Sequence, residues 1–86
     1  MKVIFAHGKE SGPCGSKITK LANIAKALGF DVESIDYTHL ISPDDRVSKL
    51  NNYLENETQP YILVGSSMGG YVSLVSAQTH KPLGVF

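Results

Sequence analysis

The sequence has 86 residues, with 8 Lys or Arg balanced by 8 Asp or Glu, and 42% of its residues are hydrophobic. Zero net charge gives no broad electrostatic attraction to nucleic acids or anionic membranes, so neither is an expected partner. The longest apolar runs, 3–6 and 61–64, are far shorter than the roughly 20 residues of a membrane-spanning helix, which indicates one small globular domain or part of a larger one.

Cysteine usage and the start of the chain bear on where the protein works. A single cysteine, Cys14, excludes an intramolecular disulfide and any zinc site built on several thiolates. The few apolar residues before His7 leave no room for the hydrophobic segment of a secretory signal. These features predict a cytoplasmic protein, for which no metal or other cofactor is expected.

The first half of the chain alternates strand and helix patterns. Lys2 to Ala6 is a short apolar run that predicts a strand buried on both faces. A helix is predicted next, with Ser16 as the expected N-cap and Gly29 as the stop. Its apolar stripe at helical spacing consists of Ile18, Leu21, Ala22, Ala25 and Leu28. Phe30 to Tyr37 is predicted to form the second strand.

The second half repeats the alternation. Ser42 followed by Pro43 and two acidic residues is a strong helix-start signal. The buried stripe of that helix is predicted to be Val47, Leu50 and Leu54. Residues 61–64 predict the third strand, 68–78 the third helix and 83–86 the start of a fourth strand.

Strands that alternate with helices predict a parallel sheet with right-handed crossovers and helices on both faces, a three-layer α/β sandwich. The sequence ends at Phe86 within an apolar run, with no helix after the fourth strand. Residues 1–86 are therefore predicted to be a single domain that forms the N-terminal portion of a larger one. An open sheet edge can also pair with a second copy, so a homo-oligomer is one expected assembly.

Gly65-Ser66-Ser67-Met68-Gly69 matches the pattern Gly-x-Ser-x-Gly directly after the most apolar strand and at the start of a helix. In a nucleophile elbow the serine occupies a cramped strand-to-helix turn, so the residues two before and two after it must be small, as Gly65 and Gly69 are. Such a turn lifts the Ser67 hydroxyl above the sheet and aims the Met68 amide at a developing oxyanion. The alternative is a structural turn in which Ser67 only caps the helix.

His7 and Gly8 close the first strand, and their loop should lie at the same carboxyl edge of the sheet as the elbow. With this second motif the chain resembles the N-terminal half of an α/β-hydrolase. The segments VIFAHG (3–8) and GSSMGG (65–70) are particularly similar to the compact bacterial esterases of the YqiA-like group. The resemblance implies a second oxyanion donor at the Lys9 amide. The His7 imidazole would then orient this loop, or it is simply a buried, hydrogen-bonded histidine.

In that family the catalytic acid and histidine follow the nucleophile, in the order Ser, Asp, His. Residues 68–86 contain no Asp or Glu and one histidine, His80. The missing Asp and His are therefore expected in residues beyond this sequence, and the 86 residues alone should be nearly inactive. The predicted function is a serine hydrolase that cleaves small carboxylic esters or thioesters through an acyl-enzyme on Ser67.

Two other classes of function stay open. Residues 11–17 loosely suggest a phosphate loop and thus a nucleotide-binding α/β module, although Glu10 and Ser16 stand where that loop needs Gly and Lys. The chain could instead be a non-catalytic binding protein that keeps the hydrolase fold. Asp36 and His39 are a weak candidate for an acid and base, because the second strand should lie about 10 Å from the elbow.

Overall fold

The computed structural model describes residues 1–8 and 12–86. Strands and helices alternate in the order β1 (Lys2–Ala6), α1 (Ser16–Ala27), β2 (Asp31–Ile35), α2 (Pro43–Glu55), β3 (Tyr61–Gly65), α3 (Met68–Ala77) and β4 (Gly84–Val85). The strands pair in parallel, and their order across the sheet is β2-β1-β3-β4. The predicted α/β fold with a parallel sheet is confirmed. No helix in these two described ranges has the length and hydropathy to cross a membrane.

The sheet lies between two layers of helices because alternate residues of the strands point to opposite faces. On one face α1 packs through Ile18 and Ala25 against Val3 and Phe5 of β1. The other face holds α2 and α3. Its core consists of Ile4, Ala6, Ile35, Tyr37, Leu50, Leu54, Leu63 and Val72. The predicted three-layer sandwich is therefore present.

Some predicted boundaries shift in the structure. Strand β2 ends at Ile35, two residues before the predicted Tyr37, because Ile35 pairs with Ala6, the last residue of β1. Ser16 is the first residue of α1, and Gly15 occupies the N-cap position that the sequence assigned to Ser16. The predicted stop at Gly29 is confirmed by its φ of 89°, a conformation that glycine adopts without steric cost.

Helix α1 leaves an apolar groove open on its face of the sheet. The groove is bordered by Leu21 and Leu28, which belong to the apolar stripe that the sequence predicts for α1. They are 46% and 68% exposed, so only part of that stripe is buried. The reason is geometric: α1 covers β1 and β2, whereas no described helix covers β3 and β4 on this side.

An ion pair links the start of β1 to the residues that follow α2. The ammonium group of Lys2 donates to Glu57 Oε2 at 2.8 Å and to the hydroxyl of Tyr53 at 2.9 Å. The side chain of Glu57 is only 6% exposed, so the pair is shielded from water on the carboxylate side. The hydrogen bond from Lys2 lowers the pKa of Glu57 below its ordinary value of 4.5.

This pair predicts an acid-dependent loss of stability. A carboxyl group whose pKa is lowered by folding stabilises the fold fully above its ordinary pKa, and the contribution disappears as the pH falls through the lowered value. Glu57→Gln should therefore reduce the free energy of unfolding by about 1 kcal/mol at neutral pH and have little effect near pH 2. Urea unfolding at both pH values measures the difference, with the exposed Glu55→Gln as control. An equal effect at both pH values would contradict the prediction.

Candidate active site

The turn between β3 and α3 holds Ser67 in an unusual backbone conformation. Its φ is 57° and its ψ is −121°, and among residues 1–8 and 12–86 no other non-glycine residue has a positive φ. Side chains rarely adopt this conformation, which costs about 1 to 3 kcal/mol. The side chain of Ser67 is exposed, so the strained turn presents its hydroxyl to solvent at the carboxyl end of β3.

Two glycines make this turn sterically feasible. A Cβ on Gly65 would overlap the backbone of Gly69 and Gly70 one turn into α3. A Cβ on Gly69 would overlap the carbonyl group of Ala6 in β1. Gly70, in contrast, has open space at its Cβ position. The glycines two before and two after Ser67 are therefore the ones that the close approach of strand and helix requires.

Among the described residues, the first amide of α3 has no hydrogen-bond acceptor and lies next to Ser67. The amides of Gly69 and Gly70 donate to the carbonyl groups of Ser66 and Ser67, each at 2.9 Å. The Met68 amide is the first of the helix and has no acceptor within it. It lies at the positive end of the helix dipole, where a developing negative charge is stabilised.

The loop after β1 begins at the same edge of the sheet as the elbow. Ala6 pairs with Gly65, and the carbonyl group of Ala6 accepts a hydrogen bond of 3.1 Å from the Ser66 amide. His7 and Ser66 therefore follow the ends of β1 and β3 at the same edge of the sheet. Lys9, whose amide the resemblance implies as second donor, lies outside the described residues, and that assignment stays a prediction.

The His7 ring is fully buried, and both of its nitrogens are occupied. Nε2 accepts a hydrogen bond of 2.8 Å from the amide of Tyr37, which follows β2. The proton must then be on Nδ1, which donates to the carbonyl oxygen of Gly8 at 2.7 Å. His7 thus ties the loop after β1 to the segment after β2, and it has no free nitrogen with which to take a proton from a serine.

Asp36 and His39 are not brought to the elbow, because β1 separates β2 from β3. The carboxylate of Asp36 is exposed, and hydrogen bonds from the side chain and backbone of Thr38 lower its pKa. It lies 3.9 Å from Nε2 of His7, but that nitrogen already accepts the Tyr37 amide. The predicted separation between this pair and Ser67 agrees with the observed strand order, in which β1 lies between β2 and β3.

His80 is also far from Ser67. It follows the carboxyl end of α3, a helix of 10 residues, whereas Ser67 precedes the amino end. A helix of that length spans about 15 Å. No histidine within the described ranges is therefore placed to act as a base for Ser67.

Arg46 is a functional candidate that the sequence reading missed. It is buried in α2, and its guanidinium donates to the carbonyl groups of His7 and Leu40. The signal was present in the sequence, because Arg46 precedes Leu50 and Leu54 at intervals of four residues and so shares the buried stripe of α2. The residue type concealed it, since a charged side chain normally marks the solvent face.

A cavity of about 250 Å³ opens beside the elbow. It is lined by Ser66 and by residues 15–18 at the start of α1.

Comparisons with known proteins identify the family and the fold of the chain. The model of the uncharacterised protein family UPF0227 matches residues 2–84. A crystal structure from Xanthomonas campestris pv. campestris, of a proposed hydrolase of the alpha/beta superfamily, is 31% identical and superimposes with a TM-score of 0.92. That match covers 99% of this chain and 56% of the other, so the chain spans little more than half of the relative's length. No curated protein matches the chain. The chain therefore belongs to the UPF0227 family and has the fold of the N-terminal part of an α/β-hydrolase.

Proposed function

We propose that this chain is the nucleophile-bearing part of a serine hydrolase that cleaves carboxylic esters or thioesters. The backbone of Ser67 carries the proposal. An exposed serine held at a positive φ between two sterically required glycines stores strain that a structural turn does not need. The same turn, with the free Met68 amide beside it, supplies a nucleophile and an oxyanion donor together.

In the proposed reaction the Ser67 Oγ attacks the acyl carbon and gives its proton to a base. The carbonyl oxygen becomes an oxyanion that the Met68 amide stabilises, together with the Lys9 amide. Collapse of this intermediate expels the alcohol or thiol, which takes the proton from the base, and leaves an ester on Ser67. Water then repeats the sequence and releases the carboxylic acid.

We infer that the base is a residue beyond the 86 printed here, because among the described residues His7 has no free nitrogen and the other two histidines are remote from Ser67. Without a base, binding and an oxyanion hole supply only about 10³- to 10⁴-fold acceleration over water. Activity is therefore proposed for the full-length protein, with an Asp or Glu and a His contributed by its remaining residues.

Labelling with a fluorophosphonate tests the proposal directly. The full-length protein should gain the mass of one adduct, and peptide mapping should place it on Ser67 rather than on Ser66. Heat-denatured protein is the control, since an ordinary serine hydroxyl does not react. Failure of the folded protein to react, or equal labelling of a Ser67→Ala variant, would reject the serine hydrolase assignment.

A further inference from the structure

Arg46 joins α2 to the loops that follow two neighbouring strands. It is 3% exposed, its Nη1 donates to the carbonyl oxygen of His7 at 3.3 Å, and its Nε donates to the carbonyl oxygen of Leu40 at 2.8 Å. The guanidinium carbon lies 5.6 Å from the centre of the Tyr37 ring, within the range of a cation–π contact. One side chain thus bonds to the main chain after β1 and to the main chain after β2.

With the hydrogen bond from Arg46, both the ring and the carbonyl group of His7 are held in place. The ring of His7 is held by the Tyr37 amide through Nε2 and by the Gly8 carbonyl group through Nδ1. Arg46 holds the carbonyl group of the same residue. The carbonyl groups of His7 and Gly8 are therefore both held by side chains, at the point where β1 ends and its loop begins.

The carbonyl group that Arg46 holds also touches the elbow. A Cβ placed on Gly69 would lie 2.9 Å from the carbonyl oxygen of His7, so this oxygen packs directly against the first turn of α3. A change in its direction would disturb both the end of β1 and its packing against the first turn of α3.

An arginine at this buried position indicates that its hydrogen bonds matter in addition to its volume. Burial of a guanidinium is costly unless its N–H groups are bonded, and an apolar side chain could fill the same volume without that cost. The planar guanidinium reaches two acceptors in a fixed relative geometry, which an ammonium group cannot reproduce.

We propose that Arg46 is a positioning residue of the proposed oxyanion site: from α2 it sets the direction of the His7 carbonyl group, and with it the packing of the end of β1 against the first turn of α3, which carries the Met68 amide beside Ser67. This inference rests on the proposed function. Arg46 contacts no reacting atom and acts through the main chain of His7.

The test compares Arg46→Met and Arg46→Lys with the unchanged full-length protein on a small activated ester, below the unfolding temperature of each. A displaced oxyanion donor should lower kcat by about 10- to 100-fold and change KM by less than about threefold. The affinity for a boronic acid analogue of the tetrahedral intermediate should fall by the same factor as kcat. Arg46→Lys keeps the positive charge but loses the planar set of N–H donors. Relative to Arg46→Met, it should therefore restore the free energy of unfolding more than it restores kcat.

Unchanged kcat in either folded variant would overturn the proposal, as would a loss of rate that equals the unfolded fraction. A measurement on the unsubstituted protein covers the case in which both variants fail to fold. The Arg46 Nη1–H donates to the His7 carbonyl oxygen, so a scalar coupling between the Arg46 Nη1 nitrogen and the His7 carbonyl carbon should appear in NMR spectra. The chemical shifts of these two nuclei should change when a phosphonate is bound to Ser67. Absence of either effect would also overturn the proposal.

Lys49 provides the matched control on the same helix. Its Nζ lies 6.0 Å from the centre of the Tyr37 ring and donates to the carbonyl group of Asp36, so the polar contacts described for it are with the segment after β2. Lys49→Met should keep kcat within about twofold. If the unchanged protein neither hydrolyses esters nor reacts with the phosphonate, the proposed function fails. If it does both and the Arg46 variants match it, only the role of Arg46 is rejected.

Discussion

Replacement of Ser67 by Ala should lower kcat for small activated esters by about 10⁶-fold in the full-length protein, because no other group can take over the nucleophilic step. KM should change little, since the hydroxyl contributes to the bond that forms rather than to binding of the substrate. Steady-state kinetics and active-site titration measure the effect. The control is Ser48→Ala, which removes an exposed hydroxyl on α2 outside the elbow and should keep full activity. A Ser67→Ala variant that keeps more than about a tenth of the activity would contradict the acyl-enzyme mechanism.

Substitutions of Ser67 should also show that its backbone conformation lowers the stability of the fold. Ser67→Gly removes the steric cost of a φ of 57°, so the free energy of unfolding should rise by about 1 kcal/mol while activity is lost. Ser67→Ala keeps the Cβ and should leave stability nearly unchanged. Urea unfolding of the two variants separates them. If Gly and Ala give equal stability, the strained conformation of Ser67 is not maintained in solution.

The second large effect is expected at Gly69. Gly69→Ala places a Cβ inside the carbonyl group of Ala6, and both partners are backbone atoms that no rotamer change can move. Strand β1 and helix α3 would have to separate, so the free energy of unfolding should fall by about 3 kcal/mol or more. Thermal or urea unfolding of the full-length protein measures it.

Gly70→Ala is the control for this substitution. Gly70 is adjacent to Gly69 in the first turn of α3, and a Cβ there meets no atom within 4 Å. Because alanine is the better helix former, Gly70→Ala should raise the free energy of unfolding by up to about 1 kcal/mol. Similar losses in the two variants would show that helix geometry at the elbow, rather than contact with β1, governs the need for glycine.

The sequence determined the elements and the elbow because both depend on local rules. Apolar residues at periods of two and of about 3.6 identified the strands and helices, and α2 begins at Pro43 after Ser42 as predicted. The steric demand around Ser67 could be read from the spacing of Gly65 and Gly69, since a tight strand-to-helix turn imposes it wherever it occurs.

The hydrogen bonds of His7 and Arg46, in contrast, depend on how the elements assemble. The Tyr37 amide that binds the His7 ring is 30 residues away along the chain, and Arg46 is 39 residues from the carbonyl group it holds. Both contacts exist because β1 lies between β2 and β3, with α2 packed on the same face as α3. Periodicity reports which side of an element is buried, but the partner found there depends on strand order, and strand order is a property of the assembled sheet.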